Sequence, residues 1–386
     1  MAEDAVEPAA RARLHDAATS GSLVGSPSAD GALDGQQHLD EEEMPRVALT
    51  RRRLILLAIF VLAAIAFLYF VLPQLGGVRD AYKRVSDGDH AWLAVALGFE
   101  LCSIASYVAL FHGIHVPPGS PLRHRDSYLI TMAGLAATRL FAAGGAGGVA
   151  LTAWALRRSR MERREVAERM IAFLVVLYGV YVTAMFVCGI GLRTGLLPGE
   201  APFGLTVVPA IIAGAAILVF GALALVPEDF DRRVQRMAPR RPRLARALRR
   251  VALAPASMRG GVRFAMQKTL HPDLAMLGAV TWWAFNIAVL WASFRAFGSS
   301  PPLAVLVQAF FVGMLANLLP IPGGIGGVDG GMIGALAAFG VDAGVAVLAV
   351  LSYRLFAFWL PTVPGVIAYF QLRRRVQRWR RRPATV

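Results

Sequence analysis

The chain has 386 residues, of which 56% are hydrophobic and only 17% charged, and its formal net charge is +15. This apolar content exceeds that of a soluble domain of similar size, so the composition argues against an ordinary water-soluble fold. The apolar residues form blocks of about 20, the length of a helix that crosses the hydrocarbon core of a bilayer. The arginines lie between these blocks and at the C-terminal end, where the positive-inside bias of membrane proteins explains them without a nucleic-acid partner.

The predicted elements begin with residues 1–50, whose content of Ala, Gly, Ser and Asp predicts a disordered cytoplasmic tail. Residues 51–372 are predicted to form one transmembrane domain. Its apolar segments lie at about 53–72, 91–111, 128–156, 168–190, 205–226, 273–297, 303–340 and 343–370. Arginines concentrate in the loop 227–272 and in the tail 373–386, which predicts that both are cytoplasmic. The interpretation is a multi-pass protein of the inner (cytoplasmic) cell membrane with both termini in the cytoplasm.

Two of the apolar segments are broken by glycine. The segment 128–156 contains Gly144, Gly145, Gly147 and Gly148, and the segment 303–340 contains Pro322, Gly323, Gly324, Gly326 and Gly327. Such backbone is tolerated at membrane depth only where it is buried in protein or lines a cavity. Basic residues on both sides of the first segment predict a hairpin that enters and returns from the cytoplasm. The second segment is predicted to do the same from the outside.

The two glycine runs also share a sequence, because Gly-Gly-x-Gly-Gly-Val occurs at 144–149 and again at 323–328. This repetition favours an inverted-topology repeat whose glycine turns meet near the membrane midplane, as at the binding sites of many transporters. Chance similarity, or a pair of ordinary packing sites, is the alternative interpretation. The predicted fold class is all-α: a polytopic helical membrane bundle with two glycine-broken re-entrant or half-helix hairpins, and an inverted repeat as a hypothesis.

Four ionisable residues lie inside the apolar segments: Glu100, Arg139, Asp329 and Arg354. Each costs roughly 2.5–3.5 kcal/mol on insertion scales, so each indicates either a functional site or a structural ion pair. Arg139 offers a planar fork of donors to the phosphate of a lipid headgroup or of a polyprenyl phosphate. Arg354 is expected to hold Asp329 in place, and Glu100 is expected either to pair with Arg139 or to carry a proton.

The turn of the second hairpin adds two further candidates. Backbone amides at the start of its half-helix, from Gly327 to Gly331, predict an anion site. Asn317 lies beside the turn, where it either binds substrate or forms an interhelical hydrogen bond. Neither glycine run has the Gly-Lys-Ser/Thr of a P-loop or a preceding strand, and no Ser-His-Asp or metal-ligand spacing occurs. No cofactor, metal or catalytic residue is expected.

The residues from Asn317 to Gly330, with the sequence Asn-Leu-Leu-Pro-Ile-Pro-Gly-Gly-Ile-Gly-Gly-Val-Asp-Gly, resemble the flippase-like membrane-domain family. That family includes the transmembrane region of lysylphosphatidylglycerol synthases. The resemblance continues beyond the second glycine run and also includes the first, so that it covers nearly all of residues 53–370. Two positions depart from the family's pattern, because Ala143 stands where relatives often have proline and Asp329 where they often have glutamate.

The resemblance implies translocation of lipid. Members that make lysyl-lipid carry a soluble aminoacyl-transfer domain after the membrane part, and this chain ends soon after its last predicted helix, so we expect a transporter rather than an enzyme. The expected substrate is an anionic membrane lipid or a lipid-linked intermediate, which moves between leaflets. The alternatives are a membrane-embedded transferase that uses a lipid-phosphate donor, a small-molecule transporter, or a scaffold for an envelope assembly. Neither the particular lipid nor the oligomeric state follows from the sequence.

Overall fold

The computed structural model describes residues 88–120, 122–140, 146–159, 161–225, 256–270, 273–318 and 324–380. Its helices are α1 (His90–His115), α2 (His124–Leu140), α3 (Ala146–Arg158), α4 (Arg163–Arg193), α5 (Phe203–Ala224), α6 (Ala256–Leu270), α7 (Leu274–Ala296), α8 (Leu303–Met314), α9 (Gly327–Ala338), α10 (Ala343–Arg354) and α11 (Leu360–Arg380). A short 3₁₀ turn, Leu315–Leu318, follows α8, and a π-helical turn, Leu355–Trp359, joins α10 to α11. The predicted tail 1–50, the apolar segment 53–72 and most of the loop 227–272 lie outside the described residues.

Among the described residues, five helical runs are long and apolar enough to cross a membrane: α1, α4, α5, α7 and the run Ala343–Gln377. A chain in hydrocarbon must satisfy its own backbone N–H and C=O groups, which is why these apolar blocks are helical. The N-cap Asp89 of α1 accepts a hydrogen bond from the amide of Ala91 at 2.9 Å, and Asp273 caps α7 by accepting from Ala275 at 2.9 Å. The described part contains no strand, and the predicted all-α multi-pass class is confirmed.

Each glycine-broken segment forms two short helices that pack against each other, α2 with α3 and α8 with α9. A Cβ atom on Gly148 would lie 2.6 Å from the carbonyl oxygen of Gly134, and one on Gly313 would lie 2.8 Å from the backbone nitrogen of Met332. Backbones approach this closely only where a side chain is absent. The predicted half-helix hairpins are therefore confirmed, although residues 141–145 of the first turn and 319–323 of the second lie outside the described residues. The side of the membrane from which each hairpin enters stays a prediction.

The glycine motif is part of a longer internal repeat. The offset of 179 residues between the two Gly-Gly-x-Gly-Gly-Val motifs also separates Gly134 from Gly313, and Thr152 from Gly331. These four residues mark the same contact in both hairpins. A Cβ on Gly134 would lie 3.2 Å from Oγ1 of Thr152, and one on Gly331 would lie 3.4 Å from Cα of Gly313. The same offset relates α1, α2, α3 and α4 to α7, α8, α9 and the α10–α11 run.

The first helices of the two halves, α1 and α7, run antiparallel and form an extensive contact. Trp92 near the start of α1 packs edge-on against Trp291 near the end of α7, with ring centroids 5.2 Å apart. Near the other end of the pair, Tyr107 of α1 stacks on Trp282 of α7 at 4.9 Å. Opposite directions for equivalent helices are what an inverted-topology repeat requires. The packing therefore supports the repeat hypothesis.

The last segment differs from its prediction, which was one ordinary span over 343–370. A π-helical turn, Leu355–Trp359, interrupts it. Pro361 accounts for part of this irregularity, because it has no N–H to donate to the carbonyl oxygen of Ala357 four residues earlier. Such turns occur frequently at functional sites. Here the carbonyl groups of the turn become available to side chains from other helices.

Candidate functional site

Arg139, the basic residue in the last turn of α2, reaches the π-helical turn. Its Nη2 donates to the carbonyl oxygen of Ala357 at 2.9 Å, and its Nη1 donates to that of Phe358 at 2.7 Å. Nη1 also lies 3.3 Å from Oγ1 of Thr362. The guanidinium thus supplies the donor that Pro361 lacks. The first hairpin is thereby connected to the broken last helix by a charged side chain.

Arg354 and Asp329 form an ion pair between α10 and the start of α9, as the sequence predicts. Their side chains are only 11% and 12% exposed. Arg354 Nη2 also donates to the carbonyl oxygen of Gly324 at 3.1 Å. Asp329 Oδ2 accepts from the amide of Gly326 at 2.9 Å. The pair therefore holds the second glycine turn, whose φ angles of +63° at Gly324 and +82° at Gly326 favour glycine.

The ring of Phe358 lies between the two arginines. The guanidinium carbon of Arg139 is 5.2 Å from the ring centroid, and that of Arg354 is 5.0 Å from it. Both distances fit a cation–π interaction, which is stronger where the charge has little contact with water. Phe358 is therefore the point at which the polar parts of the two hairpins meet. The predicted meeting of the two glycine turns stays a prediction, because residues 141–145 and 319–323 lie outside the described residues.

Glu100 is the fourth charged residue of this region. It lies on α1 and is 3% exposed, and its Oε2 has no hydrogen-bond partner among the described residues. It interacts electrostatically with Arg139, but the two form no direct ion pair in the described part of the chain. The alternative of a Glu100–Arg139 structural pair is thus not realised here. We refer to Glu100, Arg139, Asp329 and Arg354, with Phe358 between the arginines, as the charge cluster.

A chain of neutral polar side chains adjoins the charge cluster. Asn286 of α7 donates to Oγ of Ser103 at 2.8 Å, and its Oδ1 lies 3.4 Å from the hydroxyl of Tyr353. Ser103 follows Glu100 on α1 by less than one helical turn, and Tyr353 precedes Arg354. These residues fix α1, α7 and α10 relative to one another. The neighbourhood of Glu100 is therefore built from helices that hydrogen bonds keep in register.

The remaining predicted site residues lie in or near the two glycine turns, and only some of them are among the described residues. Gly147 and Gly148 lie in the first turn of α3, whereas Gly144, Gly145, Pro322 and Gly323 lie outside the described residues. Asn317 is exposed, and its Nδ2 lies 3.2 Å from Sδ of Met314. The amides that begin α9 at Gly327 were expected to be bare. The amide of Gly330 is not bare, because it donates to the carbonyl oxygen of Gly326 at 2.9 Å, and the anion site itself stays a prediction.

Sequence reasoning missed Phe358, Ala357 and Thr362 as partners of Arg139. The bonds to Ala357 and Phe358 use backbone carbonyl groups, which every residue has, so no residue type marked them. The proline at 361 was the one usable sign, because it frees a carbonyl oxygen four residues earlier.

The family described as the lysylphosphatidylglycerol synthase TM region matches residues 54–365, which is most of the chain. The chain belongs to this family. Two UPF0104 membrane proteins of Methanothermobacter thermautotrophicus are also similar to it. One is 37% identical and the other 36% identical, each over 87 residues, or 22% of this chain. The match covers 25% and 26% of those proteins, so the chain spans about a quarter of the length of these curated relatives.

The membership in the lysylphosphatidylglycerol synthase TM family agrees with the resemblance seen in the sequence. The matched range contains both hairpins, the π-helical turn and every member of the charge cluster. The family is named for a region of a synthase, so its name fixes a membrane domain and not a reaction.

Proposed function

We propose that this protein moves an anionic lipid, or a lipid-linked phosphate, between the leaflets of the membrane and that it is not itself an enzyme. The observation that carries the proposal is the pair of arginines on either side of Phe358, at 5.2 and 5.0 Å from its ring. Arginine is well suited to phosphate, because its planar fork offers two parallel donors. The fork of Arg139, inside a membrane domain and next to a second arginine, forms a site for an anionic headgroup.

Arg139 is the better candidate for direct contact with the headgroup. Arg354 is already neutralised by its ion pair with Asp329. Arg139 instead donates to the neutral carbonyl groups of Ala357 and Phe358. A phosphate is a stronger acceptor than a carbonyl group, so it can replace these contacts. Arg354 and Asp329 are assigned to positioning the second glycine turn.

The test is movement of fluorescent lipids in liposomes that contain the purified full chain. Phosphatidylglycerol represents anionic lipids and phosphatidylcholine zwitterionic ones. Arg139→Ala should slow movement of phosphatidylglycerol by about tenfold to a hundredfold, the loss expected for a hydrogen bond to a charged group. Arg139→Lys keeps the charge but loses the fork and should fall between wild type and Arg139→Ala.

The control is Arg193→Ala, which removes an exposed arginine at the end of α4. It should move phosphatidylglycerol at the wild-type rate. Because Arg139 also supports the π-helical turn, the folded fraction of each variant is measured by gel filtration and rates are compared per folded molecule. A wild-type rate in Arg139→Ala would overturn the site. Wild-type protein that moves neither lipid, with or without a proton gradient, would overturn the function and favour a transferase or a scaffold.

A further inference from the structure

The charge cluster contains one carboxylate, that of Glu100, for which the described part of the chain supplies no ion pair. Glu100 lies about ten residues into α1, deep in a helix of 26 residues, and is 3% exposed. Its Oε2 has no hydrogen-bond partner among the described residues. An ionised carboxylate buried in this way is costly unless it is paired, whereas a protonated carboxyl group is much less so. The geometry thus marks Glu100 as a group that can gain and lose a proton.

The surroundings of Glu100 contain few other groups that carry charge. From α2 it faces Arg139, and from α10 it interacts with Tyr353. The contact with α7 is made by the neutral Asn286, which binds Ser103 one turn along α1. From α4, Tyr178 interacts electrostatically with Tyr107 of α1, and Arg169 donates to the carbonyl oxygen of Ile114 near the end of α1. The charge of Glu100 therefore acts mainly on Arg139.

The net charge of the charge cluster depends on whether Glu100 holds a proton. When Glu100 is ionised, the two carboxylates of the charge cluster balance its two arginines, and the cluster has no net charge. When Glu100 holds a proton, Asp329 still neutralises Arg354, and Arg139 remains as one uncompensated positive charge. Only the second state attracts an anion from the membrane. The same group that competes for Arg139 when ionised releases it when protonated.

We propose that Glu100 is the proton-binding residue that sets the charge of the translocation site, so that an anionic headgroup and one proton bind together. This inference rests on the proposed function and adds to it the form of energy coupling. The reaction at Glu100 is a reversible transfer of one proton to a carboxylate oxygen. Reciprocity requires that the anionic lipid raise proton binding by the same factor by which the proton raises lipid binding.

The test measures binding of fluorescent phosphatidylglycerol to the purified full chain between about pH 5 and pH 9, a range that covers the titration of buried carboxyl groups. Wild-type affinity should fall by about tenfold or more as the pH rises, because Glu100 loses its proton and its negative charge then offsets the positive charge of Arg139. Glu100→Gln should bind with the low-pH affinity at every pH. The control Glu162→Gln changes an exposed carboxylate before α4 and should keep the wild-type profile.

Two outcomes overturn the inference: a wild-type affinity that is constant over this range, and a Glu100→Gln variant that keeps the wild-type pH dependence. If Glu100→Gln does not fold, Glu100→Leu removes the same proton-binding carboxyl group and replaces it by an apolar side chain. If wild-type protein binds no anionic lipid at any pH, the proposed function fails by itself. Infrared difference spectra then decide about Glu100, because a protonated-carboxyl band at low pH that the variant lacks supports the proton site, and its absence refutes it.

Discussion

The glycines at which the two half-helices of a hairpin pack closely against each other give the sharpest test of the hairpin architecture. Gly313 of α8 faces α9, and a Cβ added there would lie 2.8 Å from the backbone nitrogen of Met332 and 2.9 Å from its Cα. Real Cβ atoms do not approach backbone atoms this closely. In Gly313→Ala, α8 and α9 must therefore move apart. Because the atoms in the way belong to the backbone, a change of side-chain rotamer cannot relieve the contact.

The size of the effect follows from two opposing contributions. Overpacking of a tight contact costs about 1–3 kcal/mol. Replacing a helical glycine by alanine contributes about 0.5–1 kcal/mol in the other direction, because alanine loses less backbone entropy on folding. The free energy of unfolding of Gly313→Ala should thus be lower than that of wild type by about 1 kcal/mol, and by at most about 2.5 kcal/mol, taking both contributions together.

The matched control is Gly330→Ala in the partner helix α9. A Cβ at Gly330 would meet no atom within 4 Å in the described part of the chain. Only the helix-propensity gain applies, so this variant should be as stable as wild type or slightly more stable. Both variants are unfolded in mixed micelles with increasing sodium dodecyl sulfate, and the midpoints are compared. If Gly313→Ala is as stable as Gly330→Ala, the close packing of α8 on α9 is wrong.

Two further predictions concern the π-helical turn and the topology. Pro361→Ala restores an N–H for the carbonyl oxygen of Ala357, so it should recover part of the stability that Arg139→Gln loses. The free energy of unfolding of the double variant is compared with those of both single variants. Strictly additive changes would contradict the assigned role of the proline. In a chain without its native cysteines, single cysteines at Arg125 and Glu162, which flank the first hairpin, should react with an impermeant thiol reagent from the same side of the membrane, and one at Ser300 from the other side. Labelling of positions 125 and 162 from opposite sides would make the first hairpin a full crossing.

The helices were predictable because hydrocarbon imposes a single strong rule on the chain. Blocks of apolar residues had to be helical, and observed bounds such as Leu274–Ala296 for the predicted 273–297 follow the blocks closely. The glycine breaks at 144–148 and 323–327 were equally visible, but the close contacts at Gly134 and Gly313 emerged only from the fold. The contact of Arg354 with Asp329 could be predicted because pairing offsets the desolvation cost of opposite charges in a membrane.

The partners of Arg139 could not be predicted in the same way. A charged side chain can be satisfied by a carboxylate, which the sequence displays, or by backbone carbonyl groups, which it does not. The π-helical turn that offers those carbonyl groups depends on the local packing of α2 against α11 and on Pro361. Apolar residues continue through the turn, so a hydropathy pattern cannot reveal it. Glu100 was visible as a charge, but only the folded chain shows that its Oε2 has no hydrogen-bond partner among the described residues.

The internal repeat organises the scaffold but not the chemistry. At the offset of 179 residues, every charged member of the charge cluster is matched by an uncharged residue in the other half. The matched pairs are Glu100 with Ala279, Arg139 with Leu318, Asp329 with Ala150, and Arg354 with Val175. A second set of charges would cost roughly 2.5–3.5 kcal/mol for each residue and would need partners of its own. Two equivalent hairpins therefore carry one charge cluster among the described residues, and it lies beside the broken α10–α11 helix. If the proposed function is correct, a headgroup bound by Arg139 of the first half lies beside Phe358 of the second half, and we expect its binding to depend on how the two hairpins are arranged.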